Sequence, residues 1–165
     1  MSIEEYQNTG DQAFRANTIK GRGHDATYSG ALSFLRRKYT RDLSGVDVAV
    51  TGIPLDLATT FRPGARFGPQ AVRAASVQLS ELSAFPFNFD PFDHLAVVDY
   101  GDCYFDQGFP TEIPEAIENH IKKIIDQGVS TLSIGGDHFV TYPILKAYYE
   151  KIGEPISLVH FDAHP

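Results

Sequence analysis

The sequence predicts an α/β protein in which helices pack on a mainly parallel sheet. Four short apolar runs alternate with segments that repeat apolar residues every three or four positions. Such alternation is typical of parallel strands joined by right-handed helical crossovers. The 165 residues are 42% hydrophobic and 21% charged, which suits one globular core and leaves little room for a second domain.

Charge and composition exclude several classes of partner. The net charge is −7, and no basic cluster is larger than Arg36, Arg37 and Lys38. This argues against nucleic acid and against anionic membrane surfaces. The first residues lack the features of a signal peptide, no apolar run is long enough to span a bilayer, and the single Cys103 cannot form an internal disulfide. We therefore expect a soluble, cytoplasmic protein.

The chain divides into a polar arm, residues 1–44, and a body, residues 45–165. The arm is rich in glycine and has little periodicity, so it could pack on the body or on a neighbouring subunit. The body opens with a β-branched strand at 46–52. A long loop follows at 56–69, and its glycines and arginines are compatible with a solvated surface loop or with the mouth of a site.

A helix begins at Pro69, a residue suited to the first helical turn. Val72, Ala75 and Leu79 repeat at helical spacing and are predicted to face the sheet. Arg73 lies off that stripe, which favours an ion-pair partner over a catalytic group.

The second strand is predicted at 95–98, and the acidic residues after it, Asp99 and Asp102, are interpreted as turn caps. The most regular helical pattern of the chain follows at 113–125. His120 lies on or beside its apolar stripe, which favours a core histidine over a ligand.

The third strand, 129–134, leads into a loop that carries His138. Pro143 would break the interior of a helix, so the next helix should begin near Thr141. His138 is therefore predicted to lie just beyond the carboxyl end of a strand.

The last apolar run, 156–161, predicts a fourth, buried strand, and Asp162 and His164 follow it. Side chains two residues apart on a strand leave it on the same side. Strands joined by one crossover are usually neighbours, so His138 is expected to meet this pair. One carboxylate and two imidazoles suit Mn, Fe or Zn with open positions for water, although spacing alone leaves caps and polar turns equally open.

Several motifs resemble those of the ureohydrolase (arginase/agmatinase) family. Ser-Ile-Gly-Gly-Asp-His at 133–138 and His-Phe-Asp-Ala-His at 160–164 resemble its metal motifs. Gly-Ile-Pro-Leu-Asp at 52–56 and Arg-Pro-Gly-Ala-Arg-Phe-Gly-Pro at 62–69 agree with it. Gly-Gly-Asp-His-Phe-Val-Thr at 135–141 looks more like agmatinase than arginase. The order of several motifs makes the resemblance specific.

The resemblance implies a three-layer α/β/α sandwich, a site for two Mn²⁺ ions, and hydrolysis of agmatine to putrescine and urea. Carried over by position, His138 would bind one ion, His164 the other, and Asp162 would bridge them. Asp137 would either hydrogen-bond to the ligands or cap the turn and so orient the loop, and His160 would either hydrogen-bond to the ligands or serve in packing. The resemblance also implies a homo-oligomer, a trimer or a hexamer.

The family pattern places further groups after the last residue, Pro165: a second Asp in the same motif, a later pair of Asp ligands, a proton-shuttling His and a Glu. The sequence is therefore interpreted as the amino-terminal half of the domain, incomplete at its carboxyl end, and we expect it to bind metal weakly and to turn over nothing alone. One alternative is a non-catalytic half-domain that docks on another chain through its terminal strand. Another is a ureohydrolase for guanidinobutyrate, formimidoylglutamate or a related compound.

Overall fold

Three parallel strands form the sheet, in the order β2-β1-β3, with β1 at Val48–Ile53, β2 at Val97–Asp102 and β3 at Ser130–Gly135. The structure, a computed structural model, describes residues 11–15, 18–21, 25–80, 82–83 and 85–163. The parallel pairing of β1 with both neighbours confirms the predicted α/β class.

The described residues include four α-helices: α1 (Gln12–Arg15), α2 (Gly68–Ser76), α3 (Ile113–Ile125) and α4 (Thr141–Ile152). Short 3-10 turns connect the larger elements: Phe34–Arg36, Ala65–Phe67, Val77–Leu79, Pro91–Asp93, Pro110–Glu112 and His138–Val140. No helix in the described part of the chain is both long and apolar enough to cross a membrane.

Helices cover both faces of the sheet. Successive side chains of β1 point to opposite faces, and each face meets a different helix. The Thr51 hydroxyl bonds to His120 on α3, whereas Gly52, the next residue, lies against Pro69 on α2. On the first face, α3 and α4 enclose the largest apolar cluster. Its buried members are Ile53, Leu55, Cys103, Ile113, Ile117, Ile121, Ile125, Val140 and Ala147.

The face of α2 that meets the sheet is ionic, which differs from the prediction. Val72 and Leu79 are 41% and 55% exposed, and Ala75 is also exposed. The buried positions of α2 are Pro69, Arg73 and Ser76. The predicted apolar face of α2 is wrong because a buried ion pair, not an apolar stripe, joins this helix to the sheet.

That ion pair joins Arg73 to Asp99 and Asp102. The guanidinium donates to both carboxylate oxygens of Asp99, at 2.8 and 2.9 Å, and to Asp102 at 2.6 Å. Burial on its own lowers the pKa of Arg73, but the bonds to both carboxylates outweigh burial and raise it. The predicted ion-pair role of Arg73 is confirmed. Both acids belong to β2 and not to the loop after it. Asp99 also accepts the Gly101 N–H at 3.0 Å, a local bond of the kind that the turn-cap interpretation expects, whereas Asp102 bonds to Arg73.

His120 is confirmed as a core histidine. It is 6% exposed, its Nε2 lies 2.7 Å from the Thr51 hydroxyl, and its ring packs edge-on against Tyr100. Burial, with smaller effects from Arg41 and Lys123, lowers the pKa of His120 from 6.5 to about 4. The imidazole is therefore neutral in the folded protein at pH 7.

The predicted fourth strand is wrong. Residues 156–161 form no strand, and Leu158, Val159 and Phe161 are 56%, 79% and 95% exposed. An apolar run forms a strand only where a neighbour offers main-chain partners, and β3 does not pair with this segment.

Replacing Arg73 by Met should destabilise the fold by about 3–5 kcal/mol, because it leaves the fully buried Asp99 carboxylate without its cation. Urea unfolding measures the change. The control is Arg62→Met, which removes an exposed guanidinium and should shift stability by no more than about 0.5 kcal/mol. Equal losses in the two variants would contradict the ionic role.

The free energy of unfolding should fall as the pH drops below 6.5, the ordinary pKa of the His120 side chain. Below this pH the unfolded chain binds a proton at His120, whereas the folded chain binds it only near its pKa of about 4. From pH 6.5 to 5 this imidazole should remove about 1–2 kcal/mol. Urea unfolding across that range should show a flatter dependence for His120→Gln. The control, His94→Gln, removes an exposed imidazole and should keep the parent slope; a parental slope in His120→Gln would refute the assignment.

Candidate metal centre

The turn after β3 is fixed by Asp137. Its carboxylate accepts the Phe139 N–H at 3.0 Å and the Ala58 N–H at 2.7 Å, so one buried side chain caps its own turn and holds the 56–69 loop. Its main-chain N–H donates to Leu55 O at 2.8 Å. These bonds fix the backbone on which His138 stands, at the carboxyl end of β3.

Glycine is required here for close approach of two loops. Gly136 has a φ of 69°, and a Cβ there would lie 2.3 Å from Ile53 O. At the start of α2, a Cβ on Gly68 would lie 2.7 Å from Gly135 O. Backbone therefore packs directly on backbone, which explains why the motif is glycine-rich.

The 56–69 loop supports this turn and has its own ion pair. The Asp56 carboxylate binds the Arg66 guanidinium through two nitrogens and accepts the Gly64 N–H at 2.8 Å. The bond to Arg66 lowers the pKa of Asp56. Arg66 also donates to Gln107 at 2.8 Å, which links the loop to the segment between β2 and α3.

Three metal-capable side chains meet above the turn: His138, His160 and Asp162. One donor atom from each lies within 4.8 Å of the other two. The nearest approaches are 3.2 Å between the two Nε2 atoms, 3.1 Å from His138 Nδ1 to Asp162 Oδ2, and 3.5 Å from His160 Nε2 to the same oxygen. The side chains of His138 and His160 are 51% and 49% exposed, so the cluster is open to solvent.

The structure brings together two of the three predicted ligands, His138 and Asp162. His164 lies outside the described residues. His160, for which the sequence predicted a supporting role, stands among the donors instead. Because residues 160–163 form no strand, their side chains need not alternate, and alternation cannot predict which of them face His138.

Sequence patterns did not reveal the bond between the Asp137 side chain and the main chain of Ala58. The two residues are 79 positions apart in the chain, and no side-chain pattern marks a main-chain donor.

Comparison with known proteins identifies relatives of this chain. An agmatinase from Chromobacterium violaceum is 59% identical over 155 residues, which cover 94% of this chain and 48% of that protein. The crystal structure of a hypothetical agmatinase from Burkholderia thailandensis matches with a TM-score of 0.90 and 59% identity, over 94% of this chain and 49% of that one. The chain thus spans about half the length of these relatives.

A more distant structure shares the fold. A variant formiminoglutamase from Trypanosoma cruzi, solved with Mn²⁺, is 25% identical, with a TM-score of 0.58, over 67% of this chain and 37% of that one. The arginase family model matches residues 46–165, from the start of the body to the last residue. The chain belongs to the arginase family.

Proposed function

We propose that His138, His160 and Asp162 hold a divalent metal ion, and that the whole protein is a ureohydrolase that converts agmatine and water to putrescine and urea. The observation that carries the proposal is the convergence of three donor atoms within 4.8 Å, at the end of the sheet, in an arginase-family chain. The 59% identity to an agmatinase favours agmatine as substrate.

The donors fit the ion in chemistry. Two imidazoles and a carboxylate are suited to Mn²⁺, Fe²⁺ or Zn²⁺. Ligand atoms about 2.1 Å from a shared ion lie up to roughly 4.2 Å apart. One donor atom from each of the three residues lies within 4.8 Å of the other two, so a modest shift of the side chains would bring all three to one ion. Mn²⁺ is the ion that the family resemblance implies, and the related formiminoglutamase was solved with it.

A bound divalent ion would lower the pKa of a water molecule and so supply a nucleophile near neutral pH. The chain's own residues position this chemistry. Asp137 fixes the turn that carries His138, and the 56–69 loop braces that turn through Ala58. The Asp162 carboxylate adds negative charge where a cationic guanidino group would approach, and the net charge of −7 has the same sign.

The remainder of the proposal concerns the whole protein. His164 would serve a second Mn²⁺, with Asp162 between the two ions, in a cytoplasmic homo-oligomer. Three donors leave a bound ion with an incomplete protein shell, so the 165-residue chain should bind Mn²⁺ weakly and release no urea from agmatine alone. Robust turnover by this chain would refute that view of the ligands.

A second candidate substrate class is supported by the formiminoglutamase relative. Formimidoylglutamate and guanidinobutyrate carry a carboxylate where agmatine carries an amine. The donor cluster alone would not distinguish the guanidino or formimino groups of these compounds from that of agmatine. Each compound would be offered to the whole protein as a substrate, and the release of urea or of formamide would show which class it hydrolyses.

Replacing Asp162 by Asn should weaken Mn²⁺ binding by at least about tenfold, because the only carboxylate among the three clustered donors loses its charge. Electron paramagnetic resonance of free Mn²⁺ during titration of the chain measures binding without any need for turnover. Asp106→Asn, which neutralises an exposed carboxylate elsewhere, is the matched control. Parental affinity in Asp162→Asn would exclude this residue as a ligand.

Replacing Asp137 by Ala should destabilise the chain by about 0.5–2 kcal/mol, because two main-chain N–H groups of a partly buried turn lose their acceptor. It should also weaken Mn²⁺ binding roughly tenfold, through the loss of a fixed His138. Urea unfolding and the same Mn²⁺ titration measure the two effects. Ser44→Ala, at an exposed turn, is the control; loss of stability with unchanged affinity would show that Asp137 does not position the ligand.

A further inference from the structure

A pocket of about 410 Å³, here called the arm pocket, lies where the arm meets the amino ends of the strands. Ala96, directly before β2, lines it, and so do Ser44 and Gly45, shortly before β1. The donor cluster lies beyond the carboxyl end of β3, and a six-residue strand spans about 20 Å. The arm pocket is therefore separate from the candidate metal centre.

Residues from two stretches of the arm, 18–20 and 38–40, form the other walls of the arm pocket. Both stretches are bonded to β2 through the main chain. Val97 N–H donates to Ile19 O at 3.3 Å, Asp99 N–H donates to Lys38 O at 2.9 Å, and Thr40 N–H donates to Asp99 O at 3.0 Å. The walls thus belong to the hydrogen-bonded edge of the sheet, and these bonds fix their spacing.

Two lysines line the arm pocket, Lys20 and Lys38, and neither has a carboxylate within ion-pair distance among the residues that the structure describes. By contrast, Lys122, Lys146 and Lys151 each bond to a carboxylate. The chain has 14 basic and 21 acidic residues, so acids to pair with are plentiful. Two unpaired ammonium groups in one concave place indicate a site for an anion from solution.

The other polar groups of the arm pocket set its charge and its donors. Thr40 Oγ1 accepts the Asp42 N–H at 3.1 Å, and its own proton has no acceptor within the described ranges, so the hydroxyl can donate. The Asp42 carboxylate accepts the Ser44 O–H at 2.7 Å and the Ser44 N–H at 3.0 Å. These bonds lower the pKa of Asp42, which is therefore ionised at neutral pH. The lining carries two positive charges against one negative charge.

We propose that the arm pocket binds a small phosphate, the free ion or a monoester, between Lys20 and Lys38 and with a hydrogen bond from Thr40. A dianion matches the two ammonium groups in charge, and lysine binds phosphate as a compact point charge. The volume falls within the range of roughly 300–1,000 Å³ that is typical of small-molecule sites. An ester therefore has room for its organic part beside Ile19 and Ala96.

Phosphate binding does not depend on the proposed metal chemistry, and it can be tested on the chain itself in EDTA. We would titrate isotope-labelled chain with inorganic phosphate and, separately, with glycerol phosphate, at neutral pH and constant ionic strength. Amide chemical shifts should change saturably, and only around residues 18–20, 38–45 and 96–97. The lower Kd identifies the free ion or the ester as the better ligand, and glycerol should cause no shift.

Opposite changes of charge should move the affinity in opposite directions. Lys20→Gln and Lys38→Gln should each weaken binding about two- to fivefold, since each removes one ammonium contact. Asp42→Asn should strengthen binding about twofold, because it removes the repelling charge and keeps an acceptor for Ser44. The matched control, Lys123→Gln, removes an exposed ammonium group from α3 and should leave the affinity unchanged.

Two results would overturn the inference. Shifts that rise linearly with phosphate and never saturate would show that no site exists. Equal losses of affinity in Lys38→Gln and Lys123→Gln would show that the anion responds only to net charge. A chain that binds phosphate but never Mn²⁺ would count against the proposed function and leave the phosphate inference intact.

Discussion

The candidate site depends on one close contact, in which the turn after β3 packs backbone to backbone on the end of β1. Gly136 fits against Ile53 O only because it lacks a side chain, and Asp137 then bonds to the main chain on both sides of the contact. The Asp137 side chain that makes these bonds is buried, so it fixes His138 more firmly than a solvated surface loop would. The 56–69 loop, which has its own Asp56–Arg66 ion pair, supplies the Ala58 N–H that Asp137 accepts.

The strand and helix positions could be predicted because local periodicity determines them. Alternation of apolar runs gave the parallel sheet, and Pro143 correctly limited where α4 begins, at Thr141. Periodicity failed where a buried polar pair replaced apolar contact. Arg73 lies on the face of α2 that meets the sheet, and its partner Asp99 is fully buried inside a strand, a position that a solvated acid would never take.

The site was predictable in part for a similar reason. His138 and Asp162 could be inferred to meet because the chain returns to the same end of the sheet after α4. The place of His160 could not be inferred, since it follows from a segment that runs beside the sheet without joining it. Motif resemblance supplied the chemistry, but only coordinates show which donors meet in this chain.

The position of the donor cluster depends on a segment that belongs to no strand. Residues 156–161 form no strand in the part of the chain that the structure describes, and the side chains of His160 and Asp162 lie 3.2 and 3.1 Å from that of His138. A shared ion would link this segment to the turn after β3, because metal binding and ordering of its ligands contribute to the same free energy.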